Sequence, residues 1–193
     1  MIELKENEIK NISLKIKTVA IDSEETELSD EEMTALLCEL LSGEELDPKR
    51  IEKAIGSESQ SEIELCTEAV ISLNKDKCVE ISYMENEDDE QLKTLAKIIF
   101  PPENPDLVVM NKEGAMSAFL SFEEGKTHIC IYETPFMPLK VYVYANLVDN
   151  RLLSDGQLRL NYILNLNDTA PQHFAVDVRI KEQPSDPLSE IFS

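Results

Sequence analysis

The stretch YETPFMPLKVYVYANLVDNRLLSDGQLRLNYILNL, residues 132–166, decides the fold. In its second half Gly156, Leu158, Leu160, Tyr162, Leu164 and Leu166 fall on one face of an extended chain. Gln157, Arg159, Asn161 and Asn165 fall on the other, with Ile163 the apolar exception. A period of two is the signature of a half-buried antiparallel strand. Leu139, Val141, Val143, Ala145 and Leu147 repeat the pattern upstream. Turn chemistry at Asp149-Asn150 and Ser154-Asp155-Gly156 predicts that the two strands form a hairpin.

Working outward, the same alternation recurs. Ile12, Leu14 and Ile16 oppose Ser13, Lys15 and Lys17 in a first strand at 12–21. Further strands are predicted at 63–73, 79–84, 92–100, 107–111, 118–122 and 128–132, and a last one carries Phe174, Val176, Val178 and Ile180. About ten short strands joined by short turns predict neighbours that run antiparallel, hence a mainly β, up-and-down barrel whose closure removes exposed edges. Pro184 and Pro187 mark a C-terminal tail at 182–193, with Leu188, Ile191 and Phe192 available to dock.

One segment breaks the pattern. Residues 22–62 hold 14 acidic and 3 basic side chains, about half of the net charge of −21. Ser29 with Glu32 reads as a capping box, Leu28 and Met33 as a hydrophobic staple, and Met33, Leu36, Leu37, Leu40 and Leu41 as a helical stripe ended by Gly43. A second helix is predicted from Asp47-Pro48 to Gly56. The segment is therefore expected to be an acidic helical hairpin inserted between the first two strands of a single domain spanning 1–193. Helices this short need a surface to pack on.

Charge and composition narrow the function. A net charge of −21 repels phosphate backbones and anionic headgroups, which argues against nucleic-acid and membrane partners. No apolar run reaches the length of a signal peptide or a membrane span, so a cytoplasmic protein is expected. Cys38, Cys66, Cys78 and Cys130 form no Cys-x-x-Cys pair and are expected to be buried free thiols.

Catalytic chemistry finds little material. His128 shares a strand face with Cys130 and Tyr132, but residues two apart on a strand project in parallel and no oxyanion motif accompanies them. His128 and His173 are expected to be structural. The acidic run at 85–90 lacks the spacing and glycine of a calcium loop. Five glycines leave no phosphate-cradling loop. The reading is of a protein without catalytic residues, metal or cofactor.

The order Phe122-Glu123-Glu124-Gly125-Lys126, then Tyr132-Glu133-Thr134-Pro135-Phe136, then Gly156-x-Leu158-x-Leu160-x-Tyr162-x-Leu164 resembles the YwiB-like family of bacterial proteins of unknown function. Val79-x-Ile81-x-Tyr83-x-Glu85 fits the same family's early hairpin. The likeness runs over 63–181, with 12–21 as the family's first strand. It implies a calycin-like, lipocalin-type β-barrel and implies no activity. Met137 stands where the family has glycine, and Lys112 where it often has arginine. The chain has no tryptophan, so it lacks the Gly-x-Trp signature of lipocalins. The acidic segment has no counterpart in the resemblance.

Two functional expectations follow. In the first, the barrel binds a small, largely apolar molecule, with Tyr83, Tyr132, Thr134 and Tyr162 supplying polar contacts and the helical hairpin covering one mouth. In the second, the acidic helices bind a basic protein or a second copy of the chain. Tyr142 and Tyr144 are expected on the outside, forming a contact patch with Val148.

Overall fold

A computed structural model describes residues 2–6, 8–22, 29–42, 60–86, 92–114, 117–133, 137–166 and 171–183. Its strands are β1 (Ile9–Asp22), β2 (Gln60–Leu73), β3 (Val79–Glu85), β4 (Thr94–Phe100), β5 (Leu107–Gly114), β6 (Ser117–Glu123), β7 (Thr127–Glu133), β8 (Pro138–Arg151), β9 (Gln157–Leu166) and β10 (Gln172–Glu182). The helix α1 (Asp30–Ser42) follows β1, and the single turn α2 (Leu152–Asp155) joins β8 to β9. Each strand pairs antiparallel with its neighbour in sequence, and β1 pairs with both β2 and β10, which closes the barrel. The fold is the calycin-like, up-and-down cylinder that the alternation implied.

The inward set is the one the period of two selected. Leu158, Leu160 and Tyr162 on β9, Val176, Val178 and Ile180 on β10, and Ile12, Leu14 and Ile16 on β1 share one core with Ile71, Ile81, Ile98, Phe100 and Phe122. Each large buried side chain is worth about 1.5–3 kcal/mol of transfer free energy, so this lining stabilises the cylinder throughout.

The two ends differ. One is plugged. There the chain leaves β8 at Arg151, makes the α2 turn, and enters β9 through Gly156 in the left-handed conformation at φ 74°. A Cβ on Gly156 would sit 2.6 Å from the Ile180 carbonyl oxygen, so close packing as well as conformation requires glycine. Leu152 is fully buried, Ile2 and Leu4 pack against the core, and the Ile2 amide donates to the Leu153 carbonyl at 2.6 Å. The other end is where β3 runs into β4, β5 into β6, β7 into β8 and β9 into β10, and it will be called the mouth. Asp149 and Asn150, expected in a turn, are still ladder residues of β8, which ends at Arg151; the reversal needs only α2 and Gly156.

A β-bulge corrects a second expectation. Ala145 pairs with Tyr162 but Leu147 with Asn161, so Asn146 is an extra residue in β8. The phase reverses there, and Val148 turns inward and is buried instead of joining Tyr142 and Tyr144 outside. Leu147 likewise leaves the inward row that Leu139 begins.

The bulge also aims Asn146 at α1. Its amide donates to Thr34 Oγ1 at 3.2 Å and to Asn161 Oδ1 at 3.1 Å. Helix α1 begins as its capping box dictates: the Ser29 amide donates to the Glu32 carboxylate at 2.9 Å, and the Glu32 amide to Ser29 Oγ at 3.3 Å. The two bonds from Ser29 hold the Glu32 carboxyl below its ordinary pKa. Met33, Leu36 and Leu37 are buried against the outer wall, where Val19, Ile21 and Ala175 are buried too. So α1, the first helix of the expected hairpin, lies along the outer wall over β1, β10 and β9. The reason is sequence parity: Val19 and Ile21 are apolar on the outward face of β1 and offer the stripe a seat. The second helix, Leu28, the side chains of Leu40 and Leu41, and the C-terminal tail fall outside the described residues.

Candidate functional site

The inward positions near the mouth change character. Deep in the barrel, Phe100, Phe122, Ile71, Ile81 and Ile98 are at most 2% exposed. Toward the mouth Leu65, Met110, Tyr132, Leu164, Leu166 and Phe174 are only partly buried against that core. Small residues, Ala96 and Ala118, alternate with them on the inner wall. The result is a rim of partly covered apolar side chains over a solid base.

An aromatic layer forms the floor. Tyr162 stacks on Phe174 with ring centres 5.1 Å apart and planes at 11°, and packs tilted against Phe122 at 4.8 Å. Burial, with Tyr132 as a nearby acidic group, pushes the Tyr162 phenol well above its ordinary pKa. Tyr132, opposite Ala118 and Leu139 in its ladders, stands above that floor.

The wall opposite carries charge. Tyr83 is buried and raised far above the ordinary phenol pKa, first by burial and then by Glu85, which accepts its hydroxyl. Lys112 Nζ donates to both Glu85 oxygens, at 2.8 and 2.9 Å. Glu85 is on β3 and Lys112 on β5, so the pair reaches across β4. It can do so because Ala96 stands between Tyr83 and Lys112 in the ladder and is too small to block the path. The Lys112 side chain keeps 36% of its exposure and Glu85 21%, so the pair is half-wet and its net worth is small.

Of the expected site residues, Tyr132 and Tyr162 are neighbours and Tyr83 stands on the wall opposite; all three are on the inward face. Thr134 lies outside the described residues. Glu85 and Lys112 were missed as a pair, although both stood in quoted motifs. The reading of Cys130 with His128 as structural is consistent with their surroundings: burial raises the Cys130 thiol, which opposes thiolate formation. His128 Nε2 is 3.8 Å from the Glu123 carboxylate. His173 is buried on the outward face of β10, facing Ile21 and Ile163 in its ladders. The expectation of buried thiols needs correction at Cys66, which is exposed because it lies on the charged outer face of β2. Cys78 is half-buried and Cys130 buried; the Cys38 side chain is outside the described residues. Among the described residues no cluster of three or more metal-ligating side chains occurs.

Residues 50–178 match the family described as "Domain of unknown function (DUF1934)". The chain belongs to this family. The YwiB-like resemblance points to the same place. A structure described as "Crystal structure of ywiB protein from Bacillus subtilis" aligns over 89% of this chain and 92% of its own, with a TM-score of 0.55 and 16% identity. At that identity the likeness speaks for the fold. No curated protein matches the chain. The family region begins within the acidic segment, so β1 and α1 precede it and the mouth residues from Tyr83 to Phe174 lie inside it. No helix among the described residues is long and apolar enough to cross a membrane.

Proposed function

We propose that this member of the family is a non-enzymatic binding protein that takes a small, largely apolar molecule in the mouth of its barrel. The observation that supports the reading is the rim of partly covered apolar side chains at the mouth. Leu65, Leu164, Leu166 and Phe174 leave apolar surface partly uncovered above a closed aromatic floor. Mostly apolar concavities with a few placed polar groups are the usual form of ligand sites. Tyr132 offers a hydroxyl over the floor, and Lys112, fixed by Glu85, offers its remaining proton to a carbonyl or hydroxyl of the guest. Tyr83 serves by anchoring Glu85, and Tyr162 by forming the floor. The plugged end restricts the guest to the upper half of the cylinder. The free thiols of Cys66, Cys78 and Cys130 suit a reducing compartment, and the proposal places the protein in the cytoplasm.

The test is titration with the neutral apolar dye N-phenyl-1-naphthylamine. One saturable site per chain is expected, weakened at least about tenfold by Ala118→Trp, which fills the mouth, and little changed by Ile129→Ser on the outer wall. Absence of saturable binding, or equal binding by the filled variant, contradicts the reading.

A further inference from the structure

The outer wall is not uniform. Over β1 to β4 and β10 its outward positions form ion-pair ladders: Lys15 with Glu64 at 2.9 Å, Lys17 with Glu62 at 3.1 Å, Lys97 with Glu80 at 3.2 Å and Arg179 with Asp177 at 2.9 Å. Over β6, β7 and β8 the ladder is replaced by apolar side chains. Phe119 is 53% exposed, Ile129 60% and Ile131 54%, and Tyr142 and Tyr144 adjoin them. A groove of about 520 Å³ runs past Phe119, Ile129 and Ile131.

The ladder registers fix the layout of this face. Asn111, Phe119, Ile131 and Lys140 form one row across β5, β6, β7 and β8. Glu113 stands beside Asn111 on the outward face of β5 and accepts its amide at 2.9 Å. Ile129 and Tyr142 form the next row, and Thr127 and Tyr144 the one after. From β5 to β9 at ~4.8 Å per strand, and over three steps of ~6.8 Å along the strands, the face measures roughly 20 by 20 Å. That is the dimension of the apolar centre of a standard interface, which needs about 800 Å² per partner with its rim.

We propose that this face is a self-association surface and that its occupant is a second copy of the chain. The layout is self-complementary about one axis. A two-fold along the strands, between β6 and β7, lays β5 of one copy over β8 of the other. It sets Phe119 against the other copy's Ile131 and Lys140 over its Asn111, twice, with Glu113 one row on, about 6.8 Å along the strand and within reach of the long lysine side chain. Among the described residues Lys140 makes no ion pair within its own chain, resting 5.3 Å from the centre of the Tyr142 ring, and Glu113 meets no cation. A two-fold across the strands would set Lys140 against itself. Charge also bears on the face: two copies of net charge −21 repel over most of their surfaces, and the row of Asn111, Phe119, Ile131 and Lys140 contains no carboxylate.

Sedimentation velocity of the full chain at ~0.15 M salt is the test. Twice the chain mass is expected at tens of micromolar, about the range where a modest interface is populated. Phe119→Asp should give the monomer mass with an unchanged circular dichroism spectrum and melting temperature. Lys140→Glu and Glu113→Lys should each weaken association by about tenfold, and the two together should restore it to within about threefold of the parent. The charge swap keeps the proposal falsifiable even where Phe119→Asp disturbs folding. A parent that stays monomeric to about 100 µM overturns the proposal. So does a dimer indifferent to all three substitutions, or one in which the double exchange restores nothing. Dye binding in the mouth is read separately, so loss of one result leaves the other standing.

Discussion

At the plugged end of the barrel Leu152, Phe100, Ile12 and Leu158 are covered almost completely, and the chain crosses the opening twice, at residues 2–6 and at α2. At the mouth Leu164, Leu166, Phe174 and Tyr132 stand on the same alternating strands and are left half-covered. Both ends obey the same period of two, so alternation sets which side chains point inward without deciding how far they are filled in. Filling comes from what stands at each end: a left-handed glycine and two apolar segments close one, and at the other only a half-exposed ion pair beside a tyrosine lines one wall. Full burial at the plugged end and partly covered apolar surface at the mouth are the two features on which the proposed binding role rests.

The largest expected effect is at the plugged end. Phe100→Ala should cost about 3–5 kcal/mol in urea unfolding, whereas Leu164→Ala at the mouth should cost ~1 kcal/mol, because its side chain is already partly in water. Equal costs would erase the distinction between the ends. Next, Gly156→Ala combines a left-handed backbone with a Cβ against the Ile180 carbonyl, and about 2–3 kcal/mol is expected from the same assay.

Alkali should sharpen the contrast from the other side. Tyr83 and Tyr162 have phenol pKa values raised by burial, so the folded chain keeps protons that the unfolded chain releases. Their contribution is complete below about pH 10 and declines above it, by up to ~1.4 kcal/mol per pH unit for each phenol. Tyr83→Phe and Tyr162→Phe should each flatten the decline in melts between pH 9.5 and 11, a range set about the ~10 of a free phenol. An unchanged slope would mean that the mouth is wetter than described. Smaller still, Ser29→Ala should cost about 1 kcal/mol locally, read as faster amide exchange in α1 with the barrel amides unaffected.

Much of this was legible in the chain. Residues 157–166 declare their inward face without ambiguity, and Ser29 with Glu32 places the start of α1 at the correct residue. The seat of α1 was not legible, since it depends on Val19 and Ile21 being outward while Ile12, Leu14 and Ile16 on the same strand are inward. Both sets are apolar, and only the register separates them. The bulge at Asn146 was hidden because Asn, Leu and Val in succession suit either phase. The candidate site divides in the same way. The inward direction of the three tyrosines was legible because each sits on a clear alternation. The Glu85–Lys112 pair was missed because it joins strands two apart, and such diagonals follow from loop lengths and register that no local pattern encodes.

The central claim is that the space above the Tyr162–Phe174 floor is a ligand site. The chain has no tryptophan, so Phe174→Trp would place one reporter in that floor. Titrating this variant with N-phenyl-1-naphthylamine should quench the tryptophan emission by energy transfer in step with the rise of dye fluorescence, saturating at one dye per chain. Dye fluorescence that rises without quenching, or quenching that never saturates, would contradict the account.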